Sequence, residues 1–204
     1  MDNRPEDGDH ESRSPLADLY RLGTTYRWQV VHLTKTQTVA EHSYFVTLLF
    51  MKFAEVCEVD AIDVLVGLEY ALLHDADEAW SGDVPGPLKK FMAIDLPVDK
   101  MMGDWASKIN KGTLPSLVKD LVKLADIVEA YKYLHKYGDN HHSTFVKDKY
   151  ELMIEEKLRD LPRQLIIYHN LAEDDVRPIE TQIQLVMQIA SFTDGKETYI
   201  DDYM

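Results

Sequence analysis

The chain has 204 residues, of which 45% are hydrophobic, and its 36 acidic and 22 basic side chains give a formal net charge of −14 at pH 7. This length supports one buried core, and no Pro/Gly/Ser-rich stretch divides the chain into comparable halves. The charge argues against a nucleic-acid polymer as partner, because a polyanion is repelled unless basic side chains gather on one face. A small nucleotide is not excluded.

The single cysteine, Cys57, excludes an intramolecular disulfide and is compatible with a reducing cytoplasm. Its apolar neighbours predict a buried side chain rather than a nucleophile. Residues 1–14 have the composition of a disordered arm and not of a signal peptide, and residues 194–204 that of an acidic tail. No apolar run approaches the length of a membrane span. We therefore expect one domain over residues 15–193, a cytoplasmic location and no membrane partner.

The apolar spacing is helical from the first element onward. Pro15 predicts the start of a short helix that ends near Gly23. Residues 24–36 are predicted to be irregular or extended. Thr38 and Glu41 match a capping box, so a helix is expected from there to about Cys57. This helix carries His42 in its first turn.

Asp60 followed by Asp63 predicts the capped start of a second long helix, which is expected to end at Leu73. It is so apolar that we expect it to be central in the fold, with His74 and Asp75 at its solvent-exposed end. The segment Ser81–Pro87 contains two glycines and two prolines and is predicted to be a loop of defined shape.

A third apolar helix is expected over residues 114–128, and it carries Asp126. Further helices are expected near residues 143–160 and 177–192. Alternating strand patterns are missing from the sequence, which predicts an all-α fold, a helical bundle with a site between its central helices.

Four side chains on three of these helices are candidates for one metal site: His42, His74, Asp75 and Asp126. Two imidazoles and two carboxylates suit a divalent ion that keeps open positions for water and substrate. Asp126 lies on an apolar helix, where an unpaired carboxylate costs several kcal/mol. Taken singly, each has a simpler interpretation: a surface histidine, a helix end, or pairing of Asp126 with Lys123.

The motifs around these residues resemble a known family. The order TVAEHS, LLHDADE and KLAD, at Thr38–Ser43, Leu72–Glu78 and Lys123–Asp126, is similar to that of the HD-domain phosphohydrolase superfamily. Together with YRW at Tyr26–Trp28 and HDADEAWSGDVPGP, it resembles the bacterial 5'-deoxynucleotidases over residues 15–135. The segment between SGDVPGP and KLAD is short, as in the phage dATP triphosphohydrolases.

The resemblance implies that His42, His74, Asp75 and Asp126 bind one divalent transition metal ion, with Co, Mn, Zn and Fe all open. A second ion such as Mg²⁺ with the phosphates is a further expectation. By the same resemblance Glu78 orients or deprotonates the attacking water, the alternative being a solvated surface carboxylate. Asp83 is expected to contact the sugar or to assist the leaving oxygen.

The substrate-binding residues implied by the resemblance are Arg27, Trp28, Lys89 and Lys90. Arg27 has a planar set of donors that suits phosphate oxygens, and the two lysines lie where a longer phosphate chain would extend. Trp28 is expected to press on the sugar and to exclude a 2'-hydroxyl. The alternative for Trp28 is a core aromatic side chain.

The function implied is removal of the 5'-phosphate chain from 2'-deoxynucleotides, with dATP favoured and dADP and dAMP also accepted. One alternative is a 5'-deoxynucleotidase that acts on deoxynucleoside monophosphates. Another is a non-catalytic nucleotide-binding module with an HD fold. Relatives in this superfamily form dimers or larger rings, so a homo-oligomer is also expected.

Overall fold

The computed structural model describes residues 15–85, 114–172, 181–182 and 185–186. Within these ranges every regular element is a helix, and the only β pairings are isolated bridges between Tyr26 and Thr38 and between Leu33 and Gly138. None of the helices in these ranges is long and apolar enough to cross a membrane. The prediction of an all-α fold is confirmed. Lys89, Lys90, the two terminal segments and most of the helix expected near 177–192 lie outside the described residues.

Six α-helices follow one another along the described chain. They are α1 (Pro15–Leu19), which continues as a 3₁₀ turn (Tyr20–Gly23), α2 (Val39–Val56), α3 (Ala61–Leu73), α4 (Glu78–Ser81), α5 (Ser116–Tyr137) and α6 (His141–Tyr168). The segment between the 3₁₀ turn and α2 is irregular, as predicted.

The capping box at the start of α2 is present in the structure. The Thr38 hydroxyl accepts a hydrogen bond from the Glu41 backbone N–H at 3.1 Å, and the Glu41 carboxylate accepts one from the Thr38 backbone N–H at 2.8 Å. These two bonds satisfy backbone donors that a helix start leaves unpaired. Because they fix where α2 begins, they also place His42 in its first turn, facing the interior.

The core is built around α5, which packs against α2, α3 and α6. Its buried face includes Leu117, Leu121, Ala125 and Val128. Cys57 is fully buried in the same core, so its predicted role as an apolar filler is confirmed.

The prediction that α3 is the central helix is wrong. Ile62, Leu65 and Leu72 on this helix are 76%, 64% and 51% exposed. The physical reason is a close approach at Gly67, where an added Cβ would lie 2.2 Å from Phe50 Cζ and 2.9 Å from Val118 Cγ1. Because the smallest residue of α3 faces α2 and α5, only part of its apolar surface, including Tyr70 and Leu73, is buried, and Ile62, Leu65 and Leu72 remain exposed.

Candidate active site

Two helix ends bring three potential metal ligands together. His42 comes from the first turn of α2, and His74 and Asp75 follow the last turn of α3, which packs against α2. One ligand atom from each of the three lies within 4.8 Å of the others. The Asp75 carboxylate is 3.3 Å from His74 Nε2 and 3.7 Å from His42 Nε2.

Asp126 approaches the same group from α5. Its Oδ1 lies 3.2 Å from His42 Nε2, and its Oδ2 accepts a hydrogen bond from Lys123 Nζ at 2.6 Å. The pairing with Lys123 therefore exists, but it leaves one carboxylate oxygen directed at His42. The structure thus brings His42, His74 and Asp75 into one cluster and places Asp126 against its His42 edge, and the role of the four residues as ligands stays a prediction.

The donor atoms fit a divalent cation. His74 Nδ1 contacts the Ala71 carbonyl oxygen at 2.8 Å, and His42 Nδ1 contacts the Glu129 carboxylate. Since a carbonyl and a carboxylate only accept hydrogen bonds, both Nδ1 atoms carry the proton. Both Nε2 atoms are buried, without a hydrogen bond of normal geometry among the described residues, and face the carboxylates of Asp75 and Asp126. A lone pair on Nε2 would be repelled by these carboxylates, and a cation between them, either a proton or a divalent metal ion, removes that repulsion.

The electrostatics of the cluster favour a positive charge in it. Burial alone would lower the pKa of His74, but the neighbouring Asp75 carboxylate raises it to about 9. Burial alone would raise the pKa of Asp75 and of Asp126, yet the histidines beside them, and Lys123 for Asp126, hold both pKa values below their usual range. Both carboxylates are therefore ionised at neutral pH and available to a metal ion.

Arg27 supplies a positive charge next to this cluster. Its side chain is 11% exposed, and its Nη1 lies 3.5 Å from the Glu129 carboxylate. Burial alone would lower the pKa of Arg27, but the carboxylates of Asp75, Asp126 and Glu129 raise it. The guanidinium is therefore charged, and it interacts electrostatically with two of the proposed ligands, Asp75 and Asp126.

Trp28 is held by contacts on three sides. Its backbone N–H donates to Asp83 Oδ2 at 2.9 Å, and its indole N–H donates to Gln37 Oε1 at 2.9 Å. Its ring meets the Tyr150 ring edge to face, with 6.1 Å between centroids. The backbone of Trp28 has φ of 68°, a left-handed conformation that is strained for a bulky side chain. The contact with Asp83 therefore holds Trp28 in a conformation that it would otherwise avoid.

The two acids predicted from the His-Asp motif lie in different settings. Glu78 begins α4 just after the turn that carries His74 and Asp75, and it is 2% exposed, which excludes a solvated surface carboxylate. Asp83 lies in the loop after α4 and contacts the backbone of Trp28. The structure thus brings Asp83 to Trp28.

Sequence reasoning missed three residues of the site: Gln37, Glu129 and Tyr150. Glu129 carried a usable signal, since it lies three residues after Asp126 on the same apolar helix and is subject to the same cost of burial. Gln37 and Tyr150 carried no such signal, because their contacts are with residues distant in sequence.

The family model described as 5'-deoxynucleotidase YfbR-like matches residues 16–96. A dATP triphosphohydrolase from Salmonella phage PMBT28 is 33% identical over 138 residues, which cover 62% of this chain and 69% of the relative. The 5'-deoxynucleotidase YfbR of Shigella flexneri is 28% identical over 141 residues, covering 57% and 68% of the two chains.

Among solved structures, the fold is similar to that of the cyanophage S-2L HD phosphohydrolase DatZ, described as bound to dA and one catalytic Zn²⁺ ion. The TM-score is 0.64 at 24% identity, with 85% of this chain and 95% of that one covered. An HD-domain phosphohydrolase from Listeria innocua matches over the same shares with a TM-score of 0.55 at 20% identity. With its ordered His, His-Asp and Asp motifs, this chain belongs to the HD-domain phosphohydrolases, alongside the phage dATP triphosphohydrolases and the YfbR-like 5'-deoxynucleotidases.

Proposed function

We propose that this protein hydrolyses 2'-deoxynucleotides at the 5' position and releases the deoxynucleoside, with dATP as the preferred substrate. The observation that carries this proposal is the position of Arg27, a charged guanidinium beside a four-residue cluster that suits a divalent cation. A cation and a guanidinium side by side are complementary to a phosphate group. The 33% identity to a phage dATP triphosphohydrolase supports dATP.

The ligand set proposed is His42, His74, Asp75 and Asp126. A divalent ion bound there supplies Lewis acidity towards the phosphate oxygens and lowers the pKa of a bound water. The Zn²⁺ named for the cyanophage phosphohydrolase supports zinc as the first ion to test, with Co, Mn and Fe as alternatives.

The residues around the ligands position the nucleotide. Arg27 donates hydrogen bonds to the phosphate oxygens, and Lys123, half-exposed beside Asp126, adds a second positive charge. Lys89 and Lys90 are proposed to contact the distal phosphates. Trp28 presents its ring to the sugar and leaves no space for a 2'-hydroxyl, which selects deoxyribose.

In the proposed reaction a water oxygen forms a bond to the α-phosphorus while the bond from that phosphorus to the 5' oxygen breaks. The water gives its proton to Glu78, and the 5' oxygen takes up a proton as it leaves. The balance is dATP and water in, deoxyadenosine and tripolyphosphate out. Glu78 suits this general-base role because it is buried next to the turn that carries two ligands.

Product analysis tests the proposal. The purified protein is incubated with dATP, dADP and dAMP in the presence of Zn²⁺, Co²⁺ or Mn²⁺, and phosphorus NMR identifies the products. We expect tripolyphosphate and deoxyadenosine from dATP in a single step. Asp126→Ala should abolish this turnover, whereas Asp148→Ala, an exposed aspartate on α6, should not change it. Full activity of Asp126→Ala would contradict the metal assignment.

A second candidate function is a 5'-deoxynucleotidase that acts on monophosphates. It is supported by the family model over residues 16–96 and by the similarity to YfbR. Orthophosphate from dAMP, with dATP left intact, would select this function. A protein that binds dATP and the metal but releases no product would be a nucleotide-binding module without catalysis.

We also propose that the protein self-associates, in the cytoplasm, through the outer faces of α2 and α3. These adjacent helices expose large apolar side chains, namely Tyr44, Phe45, Leu48, Met51, Ile62, Leu65, Val66 and Leu72. Exposed apolar patches of this kind mark interaction surfaces. In analytical ultracentrifugation we expect Leu65→Glu to be monomeric, while Leu152→Glu, equally exposed on α6, keeps the wild-type state. A monomeric wild-type protein at tens of micromolar would refute this.

A further inference from the structure

We propose that Gln37 and Glu129 are a buried positioning pair that connects the metal ligand His42 to Trp28, so that metal affinity and selection of the 2'-deoxy sugar depend on the same hydrogen bonds. The sugar part rests on the proposed function. The metal part rests only on the proposed ligand role of His42 and not on the substrate, because metal affinity is measured without a nucleotide.

Glu129 is the inner member of the pair. It lies on α5, one turn beyond Asp126, and is 5% exposed. Its Oε2 accepts a hydrogen bond from His42 Nδ1, and its Oε1 accepts one from Gln37 Nε2 at 2.6 Å. A carboxylate on the second nitrogen of a liganding histidine fixes the ring orientation and its tautomer, which leaves Nε2 free to bind a metal.

Gln37 is the outer member. It is 1% exposed, and its Oε1 accepts hydrogen bonds from the Trp28 indole N–H at 2.9 Å and from Arg27 Nη1 at 3.4 Å. The orientation of this amide is forced, because the indole N–H only donates and the Glu129 carboxylate only accepts. The position therefore requires the donor and the acceptor of a glutamine amide as well as its size. A glutamate would place two carboxylates in contact, and a methionine would form no hydrogen bond with Trp28 or Glu129.

The bonds form one continuous series from the ligand to the aromatic ring: His42 to Glu129, Glu129 to Gln37, and Gln37 to Trp28. A shift of Glu129 that follows the loss of Gln37 changes the bond that orients His42. The same loss releases the indole N–H, so the ring of Trp28 is no longer fixed against the sugar. One substitution should therefore affect both properties.

The test compares Gln37→Met and Glu129→Gln with two controls on α6, Gln164→Met at a half-buried position and Glu155→Gln at an exposed one. The dissociation constants for Zn²⁺ and Co²⁺ are measured by competition with a chelator, and the visible spectrum of bound Co²⁺ reports the ligand geometry. The kcat/KM values for dATP and ATP give the sugar preference. Circular dichroism and thermal unfolding show whether each variant is folded.

We expect Glu129→Gln to weaken metal binding by about 10- to 100-fold, as for other residues that orient metal ligands. The side-chain hydrogen bonds of Gln37 go to Arg27, Trp28 and Glu129 and to none of the four proposed ligands, so Gln37→Met should weaken metal binding by about fivefold and reduce the preference for dATP by about tenfold. The Co²⁺ spectrum should shift in both variants. The controls should stay within about twofold of the wild type in both quantities.

Wild-type metal affinity and sugar preference in a folded Gln37→Met protein would overturn the proposal and leave the pair a purely structural role. A change in only one of the two quantities would also overturn it, because the pair would then serve one property alone. If Gln37→Met does not fold, Trp28→Phe removes the same indole hydrogen bond from the outer end, and wild-type metal affinity in that variant is the refuting result. If the wild-type protein hydrolyses no deoxynucleotide, the proposed function fails, and the metal affinities of Gln37→Met and Trp28→Phe alone decide this inference.

Discussion

Removing the Asp83 carboxylate should release Trp28 from its strained backbone conformation. The Asp83 carboxylate accepts a hydrogen bond from the Trp28 N–H at 2.9 Å, and Trp28 has φ of 68°. A hydrogen bond to a charged group contributes about 1.5–3 kcal/mol. This is comparable with the strain of about 1–3 kcal/mol for a non-glycine residue in this region. Asp83→Ala should therefore reduce the population with Trp28 in place by about 10- to 100-fold, and Asp83→Asn, which keeps an acceptor oxygen, by less.

The assay is kcat/KM for dATP and for ATP in the wild type, both Asp83 variants, Trp28→Ala and the double variant with Ala at positions 28 and 83. We expect the preference for dATP to fall in the order wild type, Asp83→Asn, Asp83→Ala. Because Asp83 acts through Trp28 in this reasoning, Asp83→Ala should add little to Trp28→Ala. Equal losses on dATP and ATP, with the preference unchanged, would refute the reasoning and place Asp83 at the reacting phosphate or the leaving oxygen.

Three further predictions concern stability and the metal. Gly67→Ala should lower the free energy of unfolding, measured with urea, by about 1–3 kcal/mol, because the added Cβ would lie 2.2 Å from Phe50 Cζ. The control Gly23→Ala should change this free energy little, because its Cβ would have no atom within 4 Å. An increase in stability of Gly67→Ala would contradict the packing. Burial raises the pKa of Cys57 from 9.0 to about 12. Its folded pKa exceeds the unfolded one, so its contribution to stability is complete below about pH 9 and decreases by about 1.4 kcal/mol per pH unit above that. Between pH 8 and pH 10.5, urea titrations should show a larger loss of stability in the wild type than in Cys57→Ala, and an equal loss in both proteins would contradict this contribution. Removal of metal with a chelator should stop turnover and lower Tm. Adding Zn²⁺ to 100 times its Kd should raise the free energy of unfolding again by about 2.7 kcal/mol. An unchanged Tm would count against a cation between His42 and Asp126.

The hydrogen bonds of the site show why part of it was hidden in the sequence. Motif spacing predicted that His42, the His74-Asp75 pair and Asp126 belong together. The structure brings the first three into one cluster and places Asp126 next to His42. Gln37 and Glu129 are separated by 92 residues, and Trp28 and Asp83 by 55. No periodicity or cap connects positions so far apart. The first contact forms only when α2 and α5 pack together, and the second only when the segment before α2 lies against the loop after α4.

By itself the sequence determined the features that depend on neighbours along the chain. The capping box at Thr38, the helical spacing of apolar residues and the motif order were sufficient to predict the all-α fold and the family. Only the tertiary structure decided which helix is central, because apolar content does not reveal which face packs. With Gly67 at the close approach, Ile62, Leu65 and Leu72 of α3 stay exposed, and α5 takes the central place in the core. The same packing buries Glu129 behind His42 and so connects the candidate metal centre to Trp28.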